Sequence, residues 1–334
     1  MQEDPVMKIG IVLETREDAL KMGISSINEL YHWREDIEID KILQTLFNLD
    51  HVPVILGPPD KLCRAGSSIV EGIDIILNLS VGFSKRFRLS SPPSIYEYMR
   101  IPYTGADPYS KMVSQNKHLM KSFFDKLSIP TPDWTYIQET ADLKSACFPH
   151  CPVIIKPAHE GSSVGIGKDS VILQGSMLNE AVEKALLHFK MPFIVERFIP
   201  GRELKVGMIG DCSPRTVCIA EDVYKGKPLG DKYLFFEAKK AGVFDKIHID
   251  HTDPLYAGIL DDCNRIYDLF KPLDFCTFDI RQNENKEHFF LEFNADATLH
   301  PHRTLAQCCE LSGIPYKEMF KRILDSARQR WGLN

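Results

Sequence analysis

The amino-acid sequence predicts a mixed α/β (α+β) fold, because short apolar runs alternate with longer amphipathic segments. Residues 7–13, 52–56 and 73–79 are apolar runs of strand length, and residues 25–47 carry apolar side chains near helical spacing. A strand, a helix and two further strands in this order are typical of a small parallel sheet. We expect that sheet over roughly the first hundred residues.

The rest of the chain continues the alternation without a visible internal repeat. We expect a helix at 114–127 that ends before Pro130 and Pro132, an amphipathic helix at 254–270 and a closing helix at 315–329. A further helix is expected near 178–188, and further strands at 134–137, 153–155, 193–196, 203–209, 216–221 and 234–238.

Composition and charge exclude several classes of protein. The chain has 334 residues, of which 44% are hydrophobic and 26% charged, and its formal net charge is −6. An acidic balance gives no sign of nucleic-acid or anionic-membrane binding, so an anionic ligand must be held by local basic residues. We expect no membrane span and no signal peptide, because the apolar runs are short. Nine cysteines without zinc-finger spacing predict reduced thiols in a cytoplasmic protein.

A glycine–serine loop after the run at 153–155 is the first candidate site. Lys156 is expected to end this strand, and Pro157 to block further ladder pairing. Residues 160–165 read Glu-Gly-Ser-Ser-Val-Gly, and glycine lets successive backbone amides face an anion closely. A lysine beside such a loop predicts a phosphate-binding site. A hairpin with a polar turn is the alternative that the residues leave open.

Three oxygen-bearing side chains form the second candidate site. Asp279 lies on the expected strand 275–280, while Glu292 and Asn294 end the expected strand 289–293. Residues i and i+2 of a strand share a face, so Glu292 and Asn294 point the same way. Asp279 joins them if the two strands pair as a hairpin, and hard oxygen ligands of this kind suit Mg²⁺. A solvated polar strand end is the alternative, although an unpaired buried carboxylate among such apolar neighbours would be costly.

Several segments that follow one another in order carry a resemblance to a known family. They are IPYTGADP, Asn116-Lys117, PVIIKPAHEGSSVGIG, FIVERFIPGRELKVGMIG, FFEAKK, FDI and FFLEFNAD. From Ile101 to the carboxyl terminus the chain resembles the ATP-grasp superfamily, and specifically its D-alanine–D-alanine ligase branch. The resemblance implies an N-terminal α/β domain on the substrate side (1–110) and two subdomains that clasp ATP. These are a central one with the phosphate loop (111–208) and a C-terminal one with the metal site (209–334).

The resemblance also implies a role for each residue of the nucleotide site. Lys117 and Lys156 would hold the α- and β-phosphates as point charges, and Lys239 would neutralise the γ-phosphate. For a lysine taken alone a solvated side chain is the simpler interpretation, and only the joint pattern favours phosphate binding. The loop over the β- and γ-phosphates would comprise Gly161, Ser162, Ser163 and Val164. The adenine and ribose would be held by Glu196, Phe198, Ile199, backbone groups of Arg197 and Ile199, and the carboxylate of Glu203.

The implied enzyme is an ATP-dependent, ADP-forming carboxylate–amine ligase that acts on an amino acid or small peptide. A substrate carboxylate would attack the γ-phosphate, and an amine would then attack the acyl phosphate to form an amide. Asp279, Glu292 and Asn294 would bind two Mg²⁺ ions, for which Mn²⁺ could substitute, with Glu292 bridging them. Metal ions, lysines and the loop serines would stabilise charge and position the partners while the loop excludes water. Intramolecular amide closure is a close variant of this chemistry.

Departures from the family pattern cluster where the amino acids are selected. Thr277 stands in place of a family arginine two residues before the metal aspartate, and Arg281 lies four residues further along, too far to replace it. LETRED after Leu13 and SVGFSKRFRLSSPP at 80–93 replace two further family motifs. Residues 295–303 replace a small Pro-Gly turn. We therefore expect a substrate pair other than two D-alanines.

Basic residues near these departures are candidates for binding a substrate carboxylate. Arg303 is one, and His300 and His302 could bind the carboxylate, act as general base, or serve only as caps or packing groups. A second basic cluster, for which a solvated loop is the simpler interpretation, comprises Lys85, Arg86 and Arg88. Two other functions stay open, a D-alanine–D-alanine ligase with an altered pocket and a regulatory ATP-binding protein without ligase activity. Because the family often forms dimers, the resemblance also implies a homodimer.

Overall fold

A computed structural model describes residues 5–24, 33–83, 86–295 and 297–333, which form three β-sheets with helices packed against them. The first sheet has three parallel strands in the order β2-β1-β3, which confirms the expected N-terminal parallel sheet. Its strands are β1 (Lys8–Val12), β2 (Val52–Gly57) and β3 (Ile75–Asn78). Ile9, Ile11 and Val12 of the central strand are fully buried, as expected for a parallel sheet covered on both faces.

Helices connect and cover these strands. They are α1 (Arg16–Lys21), α2 (Asp36–Phe47), α3 (Pro59–Ala65) and α4 (Ser91–Met99). Helix α1 begins at a capping box, in which Thr15 Oγ1 accepts from the Asp18 amide and the Asp18 carboxylate accepts from the Thr15 amide. The expected helix at 25–47 is found only from Asp36 onwards, and its residues 25–32 lie outside the described part of the chain.

The single helix expected at 114–127 is wrong, because the structure has two helices there. They are α5 (Pro108–Gln115) and α6 (Lys117–Lys126). Asn116 between them has φ −101° and ψ 94°, an extended conformation that ends one helix and starts the next. The break places Lys117 at the start of α6, where its backbone amide donates to the carbonyl of Ala158 (2.9 Å).

The second sheet is antiparallel, with strand order β4-β7-β5-β6. Its elements are β4 (Trp134–Ile137), β5 (Val153–Pro157), β6 (Val171–Ile172), α7 (Leu178–Phe189) and β7 (Phe193–Arg197). The expectation that Lys156 ends the strand is wrong, since Pro157 still pairs with Phe193. Strand β6 covers only Val153 and Ile154, so Pro157 lies where β5 has a neighbour on one side and tolerates a missing amide.

The third sheet is also antiparallel, with strand order β10-β9-β8-β12-β13 and β11 paired to β9. Its strands are β8 (Arg202–Ile209), β9 (Thr216–Tyr224), β10 (Lys227–Pro228), β11 (Asp245–His248), β12 (Phe275–Gln282) and β13 (His288–Asn294). The strand expected at 234–238 is wrong, because helix α8 (Phe236–Lys240) occupies this position. Its Glu, Ala and Lys residues favour a helix, and Phe236 and Ala238 are buried on one side of it. Strand β8 crosses position 208/209, which is the boundary expected between the central and the C-terminal subdomain.

The C-terminal helices join the first and third sheets in one hydrophobic cluster. They are α9 (Pro254–Leu269), α10 (Thr304–Leu311) and α11 (Tyr316–Trp331). The buried face of α11 (Met319, Phe320, Ile323) packs in one cluster with the N-terminal strands and with Ile209 of β8. The last helix therefore fixes the N-terminal sheet relative to the third sheet. No helix in the described ranges is long and apolar enough to cross a membrane.

Candidate active site

One cleft between the two antiparallel sheets collects most of the residues that the sequence predicts for the site. Its cavity volume is about 240 Å³. The predicted residues that line it are Lys117, Lys156, Gly161, Ser162, Ser163, Val164, Glu196, Arg197, Phe198, Ile199, Glu203, Lys239, Asp279, Glu292, Asn294 and Arg303. Segments far apart in the sequence therefore converge on one space, which is the first requirement of a shared ligand site.

The predicted metal residues lie side by side on neighbouring strands. Asp279 of β12 is directly opposite Glu292 of β13, and Asn294 is opposite Thr277. A β-bulge at Leu291 separates this register from the next one, in which Ile280 faces Phe290. The bulge buries both Phe290 and Phe293 in the core while Leu291 and Glu292 line the cleft. The expected hairpin and shared face are therefore both present.

Two lysines approach this carboxylate pair. Lys117 Nζ lies 3.3 Å from Glu292 Oε1, and it also donates to the backbone carbonyl of Glu160. Lys205 Nζ lies 3.1 Å from Asp279 Oδ2 and 2.9 Å from Glu203 Oε1. Burial alone would lower the pKa of Lys205, but the carboxylates of Asp279, Glu203 and Asp222 raise it well above its usual value. The two carboxylates thus each hold an ammonium group.

Lys239 faces the cleft from the last turn of α8. Within the described chain its side chain forms no ion pair and no hydrogen bond. Burial and the nearby positive charges of Lys205 and Arg303 lower its pKa, whereas Asp279 opposes this effect. An unpaired ammonium among other cations is a group arranged to receive an anion.

Lys156 and Lys121 share a buried carboxylate. Lys156 Nζ is 2.7 Å from Glu196 Oε1, and Lys121 Nζ is 2.6 Å from Glu196 Oε2. Burial alone would raise the pKa of Glu196, but the two ammonium groups hold it below its usual value. Two lysines on one carboxylate leave a net positive charge on the sheet beneath the loop at 160–165.

The loop at 160–165, which we call the flap, has backbone geometry suited to an anion. Ser162 and Ser163 both have left-handed φ angles (55° and 63°), and Gly165 follows with φ 78°. Consecutive residues of this kind turn successive amides toward one side, as in anion-binding nests. A Cβ at Gly165 would lie 2.4 Å from Pro157 Cγ, so only glycine fits there. The Phe236 amide, at the start of α8, donates to the Ile166 carbonyl (3.0 Å), so the residue directly after the flap contacts this helix.

The slot beside the flap holds the predicted adenine and ribose residues. The Arg197 backbone amide donates to the Asp133 carbonyl (2.9 Å), so it is not available to a ligand. Arg281 stacks over the Phe198 ring and contacts Glu203 Oε2 at 3.0 Å. Burial alone would raise the pKa of Glu203, but Lys205 and Arg281 lower it to about 2. Glu203 is therefore a fixed, ionised acceptor at the wall of the slot.

The opposite side of the cleft, which we call the N-terminal end, is lined by Trp33, Arg34, Val81, Arg88 and Leu89. Arg34 donates to the carbonyl of Leu79 (2.9 Å) and to Thr298 Oγ1 (3.0 Å). His300 and Arg303 reach the cleft from the loop before α10, whereas His302 is exposed and does not line it. The expectation of a solvated basic loop is wrong for Arg88, which is buried against the carbonyl of Val81. Lys85 lies outside the described residues, and Arg86 is exposed.

Sequence reasoning missed several charged residues of the cleft and its walls, among them Lys205, Lys121 and Arg34. Two of them carried a usable signal. Lys205 lies two residues after Glu203 and so shares its strand face, and Lys121 lies one helical turn after Lys117. Arg34 gave no signal, because its contact with Thr298 joins segments 264 positions apart.

This three-sheet architecture, with a cleft between two antiparallel sheets, is that of the ATP-grasp ligases, and the protein is an enzyme of this class. The chain belongs to the family described as D-ala D-ala ligase C-terminus, whose model matches residues 123–325. The resemblance inferred from the sequence motifs is confirmed.

Relatives and solved structures agree with this family. An uncharacterized protein, y4sG, of Sinorhizobium fredii is 25% identical over 82% of this chain and 78% of its own. The D-alanine–D-alanine ligase of Aquifex aeolicus is 29% identical over 69% of this chain and 75% of its own. The structure of a D-alanine–D-alanine ligase from Bacillus anthracis complexed with ATP covers 98% of this chain and 99% of its own, with a TM-score of 0.70 and 16% identity. The structural likeness extends the shared fold to the N-terminal region, which the family model does not cover.

Proposed function

We propose that the protein is an ATP-dependent carboxylate–amine ligase that forms an amide or peptide bond through an acyl phosphate, on an amino acid or a small peptide. The observation that carries the proposal is the convergence of the flap, three lysines and a carboxylate pair on one cleft. Each of these groups suits one part of a triphosphate, and together they suit phosphoryl transfer.

The nucleotide would lie between the two antiparallel sheets. The flap amides of Ser162 and Ser163, with Lys117 and Lys156, would hold the phosphate oxygens, whereas the Val164 amide already donates to the Gly161 carbonyl (3.0 Å). Phe198 and the backbone of Ile199 would hold the adenine, since the Arg197 amide is already bonded to Asp133. Glu203, ionised and fixed by Arg281, would accept hydrogen bonds from the ribose hydroxyls.

Asp279, Glu292 and Asn294 are the proposed Mg²⁺ ligands. The donor set fits such an ion, because two carboxylates and one amide oxygen line the same part of the cleft. Mn²⁺, which also prefers oxygen ligands, would substitute. A bound ion would neutralise phosphate oxygens and polarise the phosphoryl group. In the described residues no group of three or more His, Cys, Asp and Glu side chains is arranged to hold a metal.

The reaction would proceed in two steps. A substrate carboxylate oxygen attacks the γ-phosphorus of ATP, and ADP leaves with the electrons of the broken P–O bond. The amine nitrogen then attacks the acyl carbon, phosphate leaves, and the amine loses a proton. Lys239, which forms no ion pair with any described residue, would receive the charge on the transferring group, and the loop serines would orient that group. The closed flap would exclude water from the acyl phosphate.

The N-terminal end is the proposed place for the amino acids. Arg34, Arg88 and Arg303 would bind a substrate carboxylate, and Trp33, Val81 and Leu89 offer an apolar wall for a side chain. These residues, with Thr277 in place of the family arginine, support a substrate pair other than two D-alanines. A D-alanine–D-alanine ligase is the second candidate, favoured by the family and by the names of the relatives.

A panel of amino acids and dipeptides with ATP and Mg²⁺, assayed for ADP and phosphate release, tests the proposal. Turnover with particular amino acids other than D-alanine supports it and identifies the substrate. Turnover with D-alanine alone supports the second candidate. Tight ATP binding without turnover on any carboxylate supports a regulatory ATP-binding protein, and AMP with pyrophosphate as products contradicts the acyl-phosphate route.

Two further expectations belong with this proposal. A cytoplasmic location is supported by nine cysteines that all remain free thiols in the structure. The homodimer implied by the resemblance stays a prediction, and sedimentation of the purified protein would test it.

A further inference from the structure

Lys205 holds a positive charge against one of the proposed metal ligands. It lies on β8 directly opposite Asp279 of β12 in the strand register, and Nζ is 3.1 Å from Asp279 Oδ2. In the same register Glu292 lies on the far side of Asp279. Lys205, Asp279 and Glu292 therefore lie in one row across three neighbouring strands. Lys117 contacts the end of this row, with its Nζ 3.3 Å from Glu292 Oε1. Each of the two carboxylates already has its own cation.

Lys117 and Lys205 differ in how firmly their ammonium groups are held beside these carboxylates. Lys117 stands at the start of a helix, and among the described carboxylates it contacts only Glu292, besides the Glu160 carbonyl, so it can turn toward a phosphate group. Lys205, which is as buried as Lys117, is held by three carboxylates: Glu203 (2.9 Å), Asp279 (3.1 Å) and Asp222 (3.8 Å). The Lys205 ammonium therefore stays beside Asp279 when a metal ion enters the cleft.

A second cation near a fixed ammonium is repelled, and the repulsion is large in a partly desolvated site. We propose that Lys205 takes the place of one divalent ion, so that the site binds a single Mg²⁺ together with ATP. The family resemblance implies two ions, and the Lys205–Asp279 pair is the reason for the difference. The inference rests on the proposed nucleotide site.

Counting bound ions tests this inference without measuring activity. The purified chain is saturated with the non-hydrolysable ATP analogue AMPPNP and titrated with Mn²⁺, and free Mn²⁺ is measured by electron paramagnetic resonance. We expect one tightly bound ion per chain for the wild type. Lys205→Met should bind two, with the second ion held at least about tenfold more tightly than in the wild type, because the repelling charge is gone.

Lys246→Met is the matched control. Lys246 pairs with Asp222 in the same network, but it does not contact Asp279 or line the cleft. This variant should bind one ion, like the wild type. Its melting temperature and that of Lys205→Met establish that both variants fold.

Each remaining outcome has a definite meaning. Two tightly bound ions in the wild type overturn the inference, and this result does not depend on any variant folding. One ion in a folded Lys205→Met protein overturns it as well, since another feature would then exclude the second ion. Failure to bind AMPPNP, measured in the same samples by calorimetry, overturns the proposed function instead.

Discussion

The flap end of the cleft (the flap, Lys156 and residues 196–199) takes its groups from regular strands and one tight loop. The N-terminal end takes its groups from loops that meet across long sequence separations, as Arg34 and Thr298 do. At the flap end each charged group has a near neighbour in the sheet, such as Lys156 with Glu196. Rigid strands fix the groups that would hold ATP, while loops can change without disturbing them. Under the proposed function, this difference would let the fold keep its nucleotide chemistry while its substrate changes.

The largest expected effect is at the carboxylate pair, which both ends of the cleft need. Glu292→Gln keeps the shape of the side chain but removes one of the two negative charges of the carboxylate pair, the one beside Lys117. We expect ADP formation to fall about 10³-fold, since charge stabilisation of the phosphoryl group is lost. The rate of ADP release is the measurement, and an unchanged melting curve shows that the fold is intact. Full activity in this variant would mean that the metal assignment is wrong.

Lys239 should matter for the chemical step more than for the fold. Lys239→Met removes an ammonium that has no ion pair in the described chain, so little stability depends on it. We expect kcat to fall about 10²-fold with a small change in ATP affinity. Lys240→Met, an exposed lysine one position along the same helix, is the control and should behave like the wild type. Equal losses in the two variants would contradict the role of Lys239.

The flap can be tested by two nearby glycines that differ in backbone conformation and in their surroundings. Gly165→Ala places a Cβ 2.4 Å from Pro157 Cγ at a left-handed φ of 78°, which should cost about 1–3 kcal/mol of folding free energy. We expect KM for ATP to rise about tenfold because the flap amides shift. Gly167→Ala meets no atom within 4 Å and should change neither stability nor KM. Steady-state kinetics and thermal unfolding compare the two, and similar values would argue against a fixed flap geometry.

The smallest of these effects separates the two ends of the cleft. Arg34→Gln removes a buried guanidinium that contacts Glu38 (3.4 Å) and Thr298. We expect KM for the amino-acid substrate to rise about tenfold while KM for ATP changes less than about twofold. Arg64→Gln is the control, because Arg64 forms the same i, i+4 type of ion pair with Asp60 on the protein surface. An equal rise of both KM values in Arg34→Gln would show that the two ends are not independent.

Local patterns predicted the flap end and the carboxylate pair well. The alternation around Asp279 and Glu292 and the glycine–serine turn are short-range signals, and the structure brings these residues to one cleft. Three features depended on packing that a single sequence does not reveal. They are the break between two helices at Asn116, the β-bulge at Leu291 and the helix α8. Arg34 and Arg88 line the cleft only because the N-terminal sheet packs on α11 and against the third sheet. Long-range placement of this kind lies beyond motif reasoning.

The formation of an acyl phosphate is the claim on which the account of function depends, and oxygen transfer tests it most directly. The amino-acid substrate found in the panel is labelled with ¹⁸O in both carboxylate oxygens and converted with ATP, Mg²⁺ and the amine. The account predicts that each phosphate released carries one ¹⁸O atom from the substrate, because that oxygen bridges carbon and phosphorus in the intermediate. Phosphate without ¹⁸O, formed together with the amide, would contradict it.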